Sequence, residues 1–359
     1  CLQMLSKEEL VSIARSSIPS WAKVKGSNLK TSVVTGGLTN VLYKVEAVSQ
    51  QVPGPSVVLV REFGQGTSVY FDRQDEEQLF EEISEAGLGP RLYGRFQGGR
   101  VEEFYDAAPL NHKQTTDPKY STVIAKKLAQ FHCTRVPLLD RDEDETPLLS
   151  VFMNSWLQAA KDTVLHKSSD KRALAGYPMD WFEQEVERIL QLARSSDSPL
   201  VLSHNDLQCG NILKEKASGS IRFIDFEYSG LNYRGFDLGN HFCEMAINYN
   251  VESFPFFERR PSYEPTEQDR LKFFASYLEG LENSGISKDS LPTISQLEYE
   301  AKVFMPASHL LWAIWAIIQA GTSNIEFAYV DYALLRLRCY ENCLDRLSSE
   351  QHTVEDSEE

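Results

Sequence analysis

Val-Leu-Ser-His-Asn-Asp-Leu-Gln-Cys-Gly-Asn-Ile-Leu, residues 201–213, is the stretch on which the fold turns. Its apolar ends, Val201-Leu202 and Ile212-Leu213, read as short strands that anchor a polar loop between them. Within the loop Asp206 and Asn211 stand five residues apart, and a loop of that length wraps so that both side chains point into one cleft. Fourteen residues beyond Asn211, the run Ile-Arg-Phe-Ile-Asp-Phe-Glu (221–227) delivers a second carboxylate, Asp225, at the end of an apolar strand.

Phosphoryl transfer asks a protein for a base or positioner for the attacking hydroxyl, for hard oxygen ligands to Mg²⁺, and for cations or amides on the phosphates. The Asp206–Asn211 spacing is that of the catalytic loop H-R-D-x-x-x-x-N, and Asp225 falls where the D-F-G carboxylate holds metal. Upstream, Arg61 lies near the end of a strand, where a kinase has its ATP lysine, and Glu76 on the following helix is placed to pair with it. Gly36-Gly37 sits in the turn between the first two strands, where a phosphate-covering loop belongs. Each piece has a plainer reading: Asp206 as a helix cap or Asx-turn residue, Asp225 as a strand end, Gly36-Gly37 as any hairpin. Order and spacing together favour the chemistry. The details are not those of a protein kinase. Asn205 follows His204 where that motif has Arg, Glu227 follows Asp225-Phe226 where it has Gly, and no G-x-G-x-x-G is present. A small-molecule kinase of the aminoglycoside-phosphotransferase type fits better.

Outward from the loop, the chain divides by pattern. Residues 5–18 read as an amphipathic helix, followed by strands over 30–34, 41–47 and 56–63, a helix over 72–86 closing at Gly87, and strands over 91–96 and 100–105. Helices are expected over 118–133, 148–163, 178–195, 266–283, 293–320 and 327–347, with a frayed acidic tail beyond Leu347. The expectation is an α+β, bilobal, protein-kinase-like fold: a β-rich N-terminal lobe, 1–107, that binds ATP, and a mostly helical C-terminal lobe, 108–359, with the catalytic loop. At 359 residues the chain exceeds what one hydrophobic core usually organises.

A net charge of −16 argues against a nucleic-acid or anionic-membrane partner. Six scattered cysteines without a C-x-x-C pair point to free thiols in a reducing compartment. The most apolar window, 305–320, is shorter than the roughly 20 residues a bilayer span needs, so a buried helix of a cytoplasmic protein without a transmembrane segment is expected.

His204 to Leu213, Ile-Asp-Phe-Glu-Tyr-Ser (224–229) and Asn-Tyr-Arg-Gly-Phe-Asp-Leu-Gly-Asn-His-Phe-Cys-Glu (232–244) closely resemble the choline/ethanolamine kinase family, most of all a choline kinase. The resemblance runs from about Gly36 to Tyr340. It includes Gly-Gly-Leu-Thr-Asn (36–40), Gly-Pro-Arg-Leu-Tyr-Gly (89–94) and Leu-Trp-Ala-Ile-Trp (311–315). It implies ATP-dependent phosphorylation of choline to phosphocholine, the first step of phosphatidylcholine synthesis by the CDP-choline route. The alternatives are an ethanolamine kinase or an inactive relative that binds nucleotide or choline. By resemblance Asp206 is the catalytic base, and Asn211 and Asp225 serve Mg²⁺. Gly36, Gly37, Leu38, Thr39, Asn40, Arg61, Gln208 and the backbone of Glu103, Phe104 and Tyr105 serve ATP. A homodimer is also implied.

Choline's quaternary ammonium has no N–H to donate, so cation–π faces and a carboxylate must recognise it. Tyr228, Glu244, Tyr249, Phe256, Trp312, Trp315, Phe327 and Tyr332 are the candidates for that pocket. Trp312 and Trp315 lie three apart on one helical face; without the resemblance, ordinary core packing is the plainer reading.

Overall fold

A computed structural model describes residues 4–34, 40–48, 53–64, 73–140 and 146–358. The chain forms two compact units: Cys1–Ala108 with Lys214–Ile224, and Pro109–Leu213 with Asp225–Glu359. The sequence-based division at 107/108 differs from this by the 214–224 segment, which returns to the first unit. There Lys216 N donates to the Asp106 carbonyl at 3.0 Å.

In the first unit, α1 (Lys7–Ser17) starts at a capping box in which Ser6 and Glu9 satisfy each other's backbone N–H groups. Strands β1 (Leu29–Val34), β2 (Val41–Ala47) and β3 (Val57–Glu62) follow. After α2 (Arg73–Glu85) come β4 (Leu92–Phe96) and β5 (Gly99–Glu103). The five strands make one antiparallel sheet in the order β1-β2-β3-β5-β4. Period-two alternation puts Tyr43, Val45, Val58, Val60 and Val101 on one face, where they bury against Leu10 and Ala14 of α1 and against Ile18 and Trp21. The opposite parity places Arg61 directly across from Arg100. The turn with Gly36, Gly37, Leu38 and Thr39, and the stretch between Gly64 and Arg73, lie outside the described residues.

β6 (Ala107–Pro109) leads into the second unit, which continues with α3 (His112–Thr116), α4 (Pro118–Cys133), α5 (Leu148–Asp162), α6 (Ser168–Ala173), α7 (Met179–Arg194) and β7 (Leu200–Ser203). β8 (Ile212–Glu215) carries the chain back to the first unit, which holds β9 (Ile221–Phe223). The second unit resumes with β10 (Gly230–Tyr233), α8 (Arg234–Met245), β11 (Ile247–Asn248), β12 (Glu258–Arg259), α9 (Glu267–Asn283), α10 (Ile294–Thr322) and α11 (Tyr329–Glu358). Its organising element is α10, against which α5, α8, α9 and α11 pack. By length and composition α10 is apolar enough to cross a membrane, and 78% of that apolar window is buried inside the protein.

Several elements differ from the sequence reading: besides α8 and the C-terminal tail, the short α3, α6, β6, β11 and β12 were not expected. α8 was not expected as a helix, because every residue in it except Arg234 is buried and a helix covered on all sides carries no amphipathic period. The tail expected to fray beyond Leu347 continues α11 to Glu358.

α8 approaches α10 at its glycines. A Cβ at Gly239 would stand 2.7 Å from the Ala301 carbonyl oxygen and 2.9 Å from Met305 N, backbone atoms with nowhere to go. Gly239→Ala should therefore destabilise the protein by about 1–3 kcal/mol. Gly176→Ala, where an added methyl meets nothing within 4 Å, should change stability by less than about 0.5 kcal/mol. Denaturant melts of both variants check this, and equal stabilities would contradict it.

Candidate functional site

The 201–213 loop is held by a carboxylate that sequence reading did not single out. Asp237, fully buried on the first turn of α8, accepts the backbone N–H of His204 and of Asn205, both at 2.6 Å, and the Nε2–H of His132 at 3.0 Å. With that proton on Nε2, His132 Nδ1 accepts from the Tyr277 hydroxyl at 2.7 Å. Burial pushes Asp237 upward, but the hydrogen bonds from His132 and the His204 amide outweigh it and hold the carboxyl below its usual range. The anchoring is needed because Asn205 sits in the left-handed region, φ 65°, which costs energy even for Asn. Asn205 then spends its side chain on the interior: Nδ2 donates to the Tyr228 carbonyl (2.8 Å), and Oδ1 accepts from Asn232 Nδ2 (2.7 Å). Below the loop, Phe226 stacks on Phe131 at 5.7 Å and lies 5.2 Å from the His204 ring.

Asp206 follows directly and is half-buried. Asn211 Nδ2 donates to both its carbonyl and its Oδ2, each at 2.8 Å, so the two residues five apart do meet. Burial, then the negative charges of Glu244, Asp225 and Glu227, drive the Asp206 carboxyl well above its usual range; the Asn211 hydrogen bond opposes them. Asp225 is held at φ 66° just past β9. Glu227 joins the acidic group although sequence reading gave it no role; its place two residues beyond Asp225 was the available signal. Gln208 turns its Oε1 back to Gly210 N at 2.7 Å, capping the Cys209–Asn211 turn.

The arrangement fits a divalent cation. Asn211 aims its amide nitrogen at Asp206, which leaves its oxygen facing elsewhere, and the crowded carboxylates are hard oxygen donors whose mutual repulsion a cation relieves. Among the described residues no group of three or more His, Cys, Asp or Glu forms a closed metal cage, and Mg²⁺ does not require one.

Beyond Asp206, Glu244 closes α8. Its Oε1 accepts from Arg336 Nη1 at 2.5 Å and its Oε2 from the Tyr249 hydroxyl at 2.7 Å; the Tyr249 and Tyr332 hydroxyls meet at 2.8 Å. Trp312 gives its indole N–H to Asn240 Oδ1 at 2.9 Å. It packs edge-on against Tyr228 (5.5 Å) and Trp315 (5.8 Å), and also against Trp156 (6.0 Å). Phe327 lies 5.7 Å from Tyr332. Phe256 does not join them. Its ring pairs with exposed Phe254, and Phe257 is the residue against Phe327 and Tyr332, at 5.3 Å from each. The backbone reverses at Phe256, φ 65°, so adjacent side chains point apart. Trp156, Phe257 and Arg336 were missed: one reads as core, one is an immediate neighbour of the residue chosen, and a lone Arg on a helix carries no signal.

In the first unit, Arg61 is buried and donates to Glu102 Oε1 at 3.3 Å. Glu76, expected as its partner, stands 3.9 Å from Arg100, which itself binds Glu102 Oε2 at 2.7 Å and covers the Phe80 ring. Asn40 Oδ1 accepts from Gly64 N at 3.2 Å. Glu103 N donates to the Arg91 carbonyl at 2.8 Å, Phe104 lies under Lys44, and Tyr105 under Arg222.

Compared with known proteins, residues 31–341 match the choline/ethanolamine kinase profile. A Homo sapiens protein described as choline/ethanolamine kinase is 34% identical over 330 residues, 89% of this chain and 82% of its own. A probable ethanolamine kinase A of Dictyostelium discoideum is 32% identical over 340 residues, 94% of this chain and 92% of its own. A choline kinase crystal structure from Cryptosporidium parvum superposes with a TM-score of 0.79 at 28% identity, covering 96% of this chain and 97% of the other. The fold is the α+β, kinase-like one expected from the sequence.

His241, buried on α8, donates Nδ1–H to the Leu207 carbonyl at 2.9 Å, and burial lowers its pKa to about 4. Above pH ~6.5 it is neutral in both folded and unfolded chains. As pH falls from there toward 4, the unfolded chain gains a proton the folded one refuses, so stability is lost across that window, on the order of 3 kcal/mol. His241→Asn, which keeps a donor near Nδ1, should flatten the pH dependence between about 6.5 and 4. Chemical denaturation across that range checks it, and an unchanged slope would contradict the assignment.

Proposed function

The chain belongs to the choline/ethanolamine kinase family, and we propose that it transfers the terminal phosphate of ATP to the hydroxyl of choline, giving phosphocholine for phospholipid synthesis. The observation that carries this reading is the setting of Asp206, a half-buried carboxylate pressed by the charges of Glu244, Asp225 and Glu227. Such a site favours a cationic substrate and raises the basicity of the group that must take a hydroxyl proton. As Asp206 accepts that proton, the alcohol oxygen attacks the γ-phosphorus in line and the bond to the ADP oxygen breaks. Asn211 and Asp225 would hold Mg²⁺, which supplies charge neutralisation on the phosphates. Arg61 and the backbone of Glu103, Phe104 and Tyr105 are assigned to the nucleotide, as is Gln208. The proposal includes a homodimer, as the resemblance implies, working in the cytoplasm, as the scattered free thiols suggest.

Choline rather than ethanolamine is favoured by the aromatic density around Glu244: Tyr228, Tyr249, Trp312, Trp315, Phe327 and Tyr332 offer ring faces suited to a quaternary ammonium. A second reading, ethanolamine, is supported by the oxygens clustered at Glu244, Tyr249 and Tyr332, which accept N–H groups. Turnover of each alcohol, with ATP and Mg²⁺, decides between them. An inactive binding relative is opposed by the intact Asp206, Asn211 and Asp225, and failure to phosphorylate either alcohol would establish it.

Asp206→Ala should remove most of kcat while leaving ATP affinity nearly unchanged, because the base acts on the hydroxyl. Asp225→Ala should abolish activity and also weaken binding of Mg·ATP. Nucleotide titrations on both variants check the division of labour; identical affinities would overturn it.

The tryptophans separate by burial. Trp312 is interior and hydrogen-bonded, whereas Trp315 is partly exposed and its indole N–H has no protein partner. Trp315→Leu should raise the choline KM about two- to thirty-fold with little change in the ATP KM. Trp312→Leu should in addition lower Tm by leaving Asn240 short of a donor. A destabilised Trp315→Leu enzyme with unchanged choline KM would remove the ring from the pocket.

A further inference from the structure

Arg336 is a cation with no solvent exposure, placed beside the pocket proposed for a cation. Its Nη1 donates to Glu244 Oε1 (2.5 Å) and to the Tyr332 hydroxyl (3.3 Å), and its Nη2 to Ser308 Oγ (2.8 Å). Ser308 passes its proton to Asn240 Oδ1 (2.7 Å), the same oxygen that takes the Trp312 N–H. Asn240 Nδ2 in turn donates to the Asn205 carbonyl at 3.3 Å, one residue before Asp206.

The donor inventory fixes the direction of every bond in this group. A guanidinium only donates and an ionised carboxylate only accepts. Tyr332 oxygen therefore accepts from Arg336, and Tyr249 must give its single proton to Glu244. The remaining bond, between the two tyrosine hydroxyls, then runs from Tyr332 to Tyr249. The Glu244 carboxylate, which Arg336 compensates, thus orients both phenol protons and leaves only lone pairs on Tyr249, Tyr332 and Glu244, which is what a cationic headgroup requires. Without Arg336, Glu244 becomes a buried, uncompensated carboxylate close enough to act on Asp206.

We propose that Arg336 is a positioning residue for the amino-alcohol headgroup: it compensates and holds Glu244, the carboxylate that orders the Tyr249 and Tyr332 hydroxyls so that their oxygens are acceptors for the substrate's cation. This rests on the amino-alcohol kinase reading above. It assigns Arg336 no contact with substrate; the effect passes through Glu244.

A double-mutant cycle tests it, with kcat, the KM for choline and ethanolamine, the KM for Mg·ATP and Tm measured on wild type, Arg336→Met, Glu244→Gln and the double variant. Arg336→Met should raise the amino-alcohol KM at least tenfold and the ATP KM less than twofold. In the double variant the amino-alcohol KM should match that of Glu244→Gln alone, because the group through which Arg336 acts is already changed. Arg336→Lys should recover part of the loss. Parallel rises in both KM values, or single effects that multiply in the double variant, would overturn the proposal in favour of a merely structural ion pair. Should Arg336→Met fail to fold, the double variant, which buries no lone charge, still decides by its comparison with Glu244→Gln. A wild type that phosphorylates neither alcohol defeats the function reading and this inference with it. A wild type that turns over, with an unmoved KM in folded Arg336→Met, defeats this inference alone.

Discussion

A single buried carboxylate, Asp237, takes two consecutive backbone N–H groups of the 204–205 turn at 2.6 Å each, and the placement of every residue downstream depends on it. Backbone donors withdrawn from water must find partners, and here both find the same one. The pair of bonds fixes the peptide plane ahead of Asn205, whose left-handed backbone then aims Asp206 and Asn211 at each other. Because Asp237 is on α8, and α8 lies against α10 at Gly239, the loop is referenced to the core of its unit rather than to a flexible connection. Precision of this kind, with a site carried on rigid elements and locked by a supporting shell, is what positioning chemistry demands.

Charge is distributed unevenly around this frame. Asp225, Glu227 and Glu244 lie close enough for their charges to act on Asp206, a concentration that is costly unless cations arrive. One cation is internal: Arg336 neutralises Glu244 from behind. The proposed ligands, a divalent metal and an amino alcohol, are of the sign that would relieve the remaining excess. The first unit shows the opposite balance. Arg61 and Arg100 face each other across neighbouring strands and share one buried carboxylate, Glu102. Like charges opposite one another in a sheet repel, and the shared Glu holds them while Arg100 finds further support over Phe80. Glu76 stands 3.9 Å from Arg100, on the same group of charges.

Much was legible in the sequence because the signals were local. Strand alternation over 41–47 and 56–63 and helical periodicity from 118 onward depend on near neighbours, so the types of most long elements followed. The Asp206–Asn211 pairing was likewise written in a five-residue spacing and the loop that closes it. α8 was not legible, since a helix buried on all sides has no polar face to mark it.

What the sequence by itself determined was the fold class, the reaction class, and which loop bears the carboxylates, all properties of residue type and short separation. What only the tertiary structure decided was partnership over long separations: Asp237 with the 204–205 amides, Glu102 with Arg61, Phe257 in place of Phe256 beside Tyr332, and Arg336 with Glu244. The reason is physical. A buried charge or hydroxyl must be matched by whatever the packed chain brings within about 3 Å. That neighbour comes from helices meeting in space, which no short-range pattern records.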